Sequence, residues 1–293
     1  MFAITSEQRQ YQTYVLTDAA SSAALEVVPE RGGIITSWKL GGQELLYLDV
    51  ERFSHPELTV RGGIPILFPT CGNLPDNLYR YAGQAYSLKQ HGFARDLPWQ
   101  VVATDTQAAA ALTLELTSNQ QTRQGYPFEF QLRFTYELQG QSLTLRQQHT
   151  NLSDRPMPFA SGLHPYFSVA NKAQLQFQIP ASHYQDQRSQ AQQPFSGFDF
   201  ELDEIDVAFR PLSQQSAQVI DPERGLRLSL DYDPAYSTLV FWTIKGKDYY
   251  CLEPWTAPRN ALNTGDSLLV LEPGQSLETV VRLRAEFVTS GSA

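Results

Sequence analysis

The chain has 293 residues, with 22 Lys and Arg against 31 Asp and Glu, a formal charge of −9, and an aromatic content of 12%. The acidic balance excludes a nucleic-acid binder, which needs clustered Lys and Arg, and attraction to an anionic membrane face. The apolar and aromatic content excludes a disordered chain, and the length allows one large all-β domain or two smaller ones.

The first residues, MFAITSEQRQYQTYVL, carry no basic segment followed by an apolar core, so no secretory signal is read there. No apolar run reaches the roughly 18 residues of a membrane span. Cys71 and Cys251 are far apart and make no disulfide framework. The expectation is a soluble, reduced, cytoplasmic protein. With no CxxC or HExxH pattern and no close histidine pair, neither a metal nor a cofactor is expected.

Along the chain the dominant period is two. A short helical turn is expected near Ser54–Leu58. Ala110, Leu112, Leu114 and Leu116 alternate with more polar neighbours, and Phe128, Phe130, Leu132, Phe134, Tyr136 and Leu138 do so again, as in strands with one buried face. A polar connection joins these two runs, which read as an antiparallel pair. Ser142–Thr150 is a further strand, rich in apolar and β-branched residues. Tyr184–Gln193 reads as an exposed polar loop. Leu226–Tyr232 alternates, Thr238–Ile244 is β-rich, and a second helical turn is expected near Gly265–Leu269. Leu277, Thr279, Val281 and Leu283 alternate after the turn Pro273-Gly274. No long amphipathic helix is visible. The pattern predicts an all-β, large twisted antiparallel sandwich with few short helices, formed as a single domain over 1–293.

Three groups of segments depart from a plain strand. They are Arg61–Asn73 with His91–Trp99, Ser161–Phe167, and Cys251–Arg259. Each sets His, Arg or Glu beside Gly or Pro and aromatic rings. Such groups suit an uncharged polar ligand like a sugar, whose C–H faces stack on rings while polar side chains bond its hydroxyls. Taken singly, each has an ordinary structural explanation as packing, a strand end or a turn.

Taken in order, these segments resemble the aldose 1-epimerase (galactose mutarotase) superfamily. The match runs from about Leu25 to Phe287. It rests on Arg61-Gly62-Gly63-Ile64-Pro65, Phe68-Pro69, His91-Gly92-Phe93-Ala94-Arg95, Leu163-His164-Pro165-Tyr166-Phe167, Asp206-Val207-Ala208-Phe209 and Glu253-Pro254-Trp255. RGGIP is nearer the hexose-6-phosphate epimerase-like branch, whereas the run Leu67–Gly72 departs from that branch, so the sugar is left open. The resemblance implies a twisted sandwich with its site in a concave face, and interconversion of the α and β anomers of an aldohexose, in the first place a free one, by acid–base ring opening. That chemistry needs one base and one acid on opposite sides of the anomeric centre. Glu253 would be the base at the C1 hydroxyl. His164 would be the acid at the ring oxygen, kept at least partly protonated by a polar setting. His91 would bond the sugar near the ring oxygen. Arg61 and Asp206 would fix hydroxyls, and Trp255 and Phe68 are candidates for stacking. Arg95 would meet a substrate phosphate or form an ion pair, for example with Asp96. A phosphate would draw on Arg61 and Arg95, with Lys89 a weaker third. His149 and His183 receive no role, and His55 is expected at the surface. The alternatives are a hexose-6-phosphate 1-epimerase and a non-catalytic carbohydrate-binding sandwich.

Overall fold

The computed structural model describes residues 1–287. An eight-stranded antiparallel sheet runs in the order Gln176–Gln178, Ser216–Asp221, Leu226–Tyr232, Ser276–Phe287, Ser142–Asn151, Phe130–Gln139, Ala110–Thr117, Gln100–Asp105. Its alternation is the one visible in the sequence. Along Phe130–Gln139 the residues Phe130, Leu132, Phe134, Tyr136 and Leu138 are fully buried, and their neighbours are half-buried or exposed. Ala110–Thr117 pairs with this strand in antiparallel register, Leu114 opposite Phe134.

A second sheet also has eight strands. Its path is Gln192–Pro194, His183–Asp186, Glu204–Phe209, Thr238–Ile244, Tyr249–Trp255, Gly162–Leu163, Ile66–Leu67, with Tyr166–Ser168 also paired to Tyr249–Trp255. A five-stranded sheet spans Phe2–Glu44. Its strands Gln12–Asp18 and Ala23–Val28 lie against the first large sheet. The main core joins all three sheets, with Trp38, Phe68, Phe134, Phe159 and Phe241 among its members.

The short helices are displaced from their expected places. One is Val50–Ser54, capped by Asp49, whose carboxylate accepts from the Arg52 amide at 3.0 Å. It therefore ends where the predicted turn Ser54–Leu58 begins. Ala261–Thr264 likewise stops at Gly265, whose φ of 73° ends the helix. A third, Gln120–Gly125, was not anticipated. Its signal is a capping box in which Asn119 and Thr122 bond each other's backbone. The segment Tyr184–Gln193 is not an open loop but most of a hairpin, His183–Asp186 paired with Gln192–Pro194. Polar residues tolerate that strand pair because it sits at the sheet edge. Among the described residues no helix is long and apolar enough to cross a membrane, and Cys71 and Cys251 are both free.

Candidate active site

The strand Tyr249–Trp255 is buried along its length and sets Cys251, Glu253 and Trp255 on one face. The Trp255 indole N–H donates to Glu253 Oε2 at 3.1 Å. The strands Gly162–Leu163 and Tyr166–Ser168 both pair with Tyr249–Trp255, so His164 between them is carried over Glu253. His164 Nε2 lies 3.4 Å from Glu253 Oε1. The His164 ring stacks on Tyr166, centroids 4.7 Å apart and planes 8° from parallel, and meets Trp242 edge-on.

His91 enters from a loop in the left-handed region, at φ 67°. Gly92 follows it, also at positive φ, where a Cβ would fall 2.2 Å from the Phe68 carbonyl oxygen. Two bonds to Gly72 fix His91: its amide donates to the Gly72 carbonyl at 2.8 Å, and the Gly72 amide donates to His91 Nδ1 at 3.1 Å. The ring proton of neutral His91 therefore sits on Nε2. The His91 and His164 centroids are 5.5 Å apart.

These groups line a pocket of about 330 Å³ together with Arg52, Arg61, Arg95, Arg259, Glu204, Asp206 and Trp242. Asp206 is paired with Arg259 at 3.0 Å. The Arg61 guanidinium lies over the Trp242 ring, 5.9 Å from its centroid. Arg95 donates to the Gln90 carbonyl at 3.1 Å. Among the described residues, Arg52, Arg61 and Arg95 form no salt bridge with a carboxylate, although Asp96 and Glu253 lie near enough to Arg95 to favour its charged form, and Glu204 and Asp206 share the pocket.

Burial sets the protonation states. It pushes Glu253 well above the ordinary carboxylate range, with the Asp206 charge adding to it. It pulls His164 down to about 3, with Arg95 and Arg61 acting in the same direction. His91 is also held well below its usual value by burial and then by Arg95. The proton of the pair therefore rests on Glu253, and His164 is neutral. This differs from the sequence expectation of a protonated His164: the neighbouring charges are cationic, and the carboxyl beside it is itself desolvated.

Of the residues expected at the site, Glu253, His164, His91, Arg61, Asp206, Arg95 and Trp255 come together in this pocket. Phe68 does not. It is fully buried and packs edge-on against Phe93, Tyr126 and Phe130, so it belongs to the core. Lys89 pairs with Asp96 at 2.7 Å and stands outside the pocket, and that pair also takes Asp96 as an ion-pair partner in place of Arg95. Glu253 and His164 stand side by side, not on opposite sides of the pocket as expected from the sequence. Arg52, Arg259, Glu204 and Trp242 were not singled out by sequence. Arg259 closes a segment already marked by its chemistry, and a half-buried Asp206 calls for a cationic partner.

His164, Cys251 and Glu253 have donor atoms within 4.8 Å of one another, close enough to hold a metal ion. Burial and the Glu253 charge push the Cys251 thiol well up, which favours the protonated form that ligates poorly. The donor set fits an acid–base pair better than a metal centre.

The aldose 1-epimerase family model matches residues 12–284. A curated relative from Cenchrus ciliaris, named "Putative glucose-6-phosphate 1-epimerase", is 26% identical over 283 residues, covering 87% of this chain and 79% of its own. The solved structure of the Slr1438 protein from Synechocystis sp. PCC 6803 is 46% identical, with a TM-score of 0.94 over 98% of this chain and all of its own. A galactose mutarotase-like protein from Clostridium acetobutylicum shares the fold at a TM-score of 0.82 and 20% identity, covering 98% of this chain and 99% of its own. With the match extending across nearly all of the sheets that build the pocket, the chain belongs to the aldose 1-epimerase family.

Proposed function

We propose that the protein is an aldose 1-epimerase acting on a hexose 6-phosphate. The observation that carries this reading is the coexistence, in one pocket, of the His164–Glu253 pair 3.4 Å apart and three arginines that form no salt bridge among the described residues. Ring opening moves one proton off the C1 hydroxyl and one onto the ring oxygen. When a bound phosphate offsets the charges of Arg95 and Arg61, the shared proton passes from Glu253 to His164, and from that carboxylate–imidazolium state Glu253 takes the first proton and His164 gives the second. After the C1–O5 bond opens, rotation about C1–C2 and closure on the other face return both protons. The pair holds one proton before and after, so the cycle needs no net exchange with solvent. His91 donates its Nε2 proton to the sugar without changing charge. Asp206, held by Arg259, accepts from sugar hydroxyls, and Trp255 orients the Glu253 carboxyl.

The arginines bear on the substrate. A protein of net charge −9 repels an anion at long range. An arginine-lined rim reverses that sign locally, and arginine forks match phosphate geometry. Comparing kcat/KM for glucose 6-phosphate and glucose tests the assignment. A preference of about tenfold or more for the phosphorylated sugar is expected from one or two charge-assisted contacts. A preference for glucose would assign the enzyme to the free hexose.

A further inference from the structure

The sequence Arg-Gly-Gly-Ile occurs twice, at 31–34 and 61–64. The chain just after the first copy lies against the second. The Ile64 amide donates to the Ile35 carbonyl at 2.9 Å, and a Cβ on Gly63 would fall 2.1 Å from that same oxygen. The second copy places Arg61 on the pocket rim. The first copy carries Arg31, which is 7% exposed, stands outside the pocket and, among the described residues, bonds backbone carbonyls rather than a carboxylate.

Arg31 directs its guanidinium to the end of the helix Val50–Ser54 and the loop that follows it. It donates to the carbonyls of Arg52 at 3.4 Å, Phe53 at 3.3 Å, His55 at 2.6 Å, Pro56 at 3.0 Å and Leu58 at 2.6 Å. That segment delivers Arg52 and Arg61 to the pocket. The same turn also holds the segment that carries Arg95. Gly32, at φ 84°, approaches Arg95 so closely that a Cβ would lie 2.1 Å from its carbonyl oxygen. The Trp99 amide donates to the Pro29 carbonyl at 2.9 Å, and the Trp99 indole donates to Ala94 at 3.0 Å. The turn Pro29–Gly33 thus joins the two segments that carry Arg52, Arg61 and Arg95.

We infer that Arg31 is a positioning residue that sets the placement of Arg52 and Arg61 relative to Arg95, and through it the enzyme's affinity for phosphorylated sugar. The inference rests on the hexose 6-phosphate reading. Arg31 touches no substrate. A guanidinium that gathers five carbonyls fixes the loop before an anion arrives, so binding costs less ordering.

The test is Arg31→Lys, which keeps the buried charge and loses the fork. KM for glucose 6-phosphate is expected to rise about tenfold, the scale of weakening one charge-assisted contact. Its kcat, and kcat/KM for glucose, are expected to stay within about twofold. Equal losses for both sugars, or an unchanged KM for glucose 6-phosphate, would overturn the inference. Failure of the phosphate reading is separate and shows in the wild type, as no preference for glucose 6-phosphate and no competition by inorganic phosphate. If Arg31→Lys does not fold, hydrogen exchange in the wild type decides. The amides of Phe53, His55 and Leu58 should be protected without ligand and gain less than about twofold on adding inorganic phosphate. Unprotected amides that become protected with phosphate would contradict a loop fixed in advance.

Discussion

The backbone N–H of Gly72 donates to Nδ1 of His91 across 3.1 Å, and this bond limits what His91 can do. Protonating Nδ1 would set two hydrogens against each other in a buried site, so His91 stays neutral and offers only its Nε2 proton. His91→Gln, which keeps a donor at similar reach, should lower kcat/KM by about tenfold, the loss expected for one weakened hydrogen bond. The pH limbs of the rate profile should stay where they are. A limb that vanishes in this variant would make His91 a titrating acid.

On the proposed function, His164 is the group whose charge should answer to a phosphorylated substrate. Arg95 and Arg61 help hold it down to about 3, after burial. A phosphate seated on these arginines cancels that repulsion, so the imidazole binds a proton more readily when phosphate is bound. The proton can come from Glu253, 3.4 Å away. Following the His164 ring nitrogens by NMR across a pH series, with and without saturating inorganic phosphate, should show an upward shift in the His164 titration. Phosphate that binds by calorimetry and leaves the titration in place would contradict this coupling.

The period-two alternation was readable wherever a strand has one buried face, as in Phe130–Gln139 and Leu226–Tyr232. The short helices were harder, because each depends on one cap, Asp49, Asn119 or Gly265, rather than on a repeating stripe. His91, His164 and Glu253 stood out as ionisable groups set among glycine, proline and aromatic residues. Phe68 was misplaced for a physical reason. A phenylalanine beside a functional loop looks the same in sequence whether it faces the pocket or the core, and here it faces Tyr126 and Phe130. The rim arginines were only half legible. Arg61 and Arg95 sit in marked segments, but Arg52 lies in a short helix with no site signal in sequence, and only the folded chain shows it lining the pocket.

His149, given no role in catalysis, has a role in the pH dependence of stability. It is fully buried between Phe134 and Phe159, and burial lowers its pKa from 6.5 to about 3. The unfolded chain takes up this proton near 6.5 and the folded chain only near 3, so between those values the unfolded state binds more protons. The stability contributed by neutral His149 is therefore complete above about 6.5 and falls as pH drops, by at most about 1.4 kcal/mol per pH unit. Urea unfolding at several pH values should give a shallower acid slope for His149→Leu than for the wild type. Equal slopes would mean that His149 does not titrate on unfolding.

The central claim is that Glu253 and His164 together interconvert anomers, and the most direct measurement is NMR exchange between α- and β-glucose 6-phosphate with wild-type protein and with Glu253→Gln. The wild type should accelerate exchange well above buffer. Glu253→Gln should lose about 10²- to 10⁴-fold of that acceleration, the usual worth of a placed general base, while still binding the sugar by calorimetry. Exchange at the buffer rate with wild-type protein, or full activity in Glu253→Gln, would contradict it.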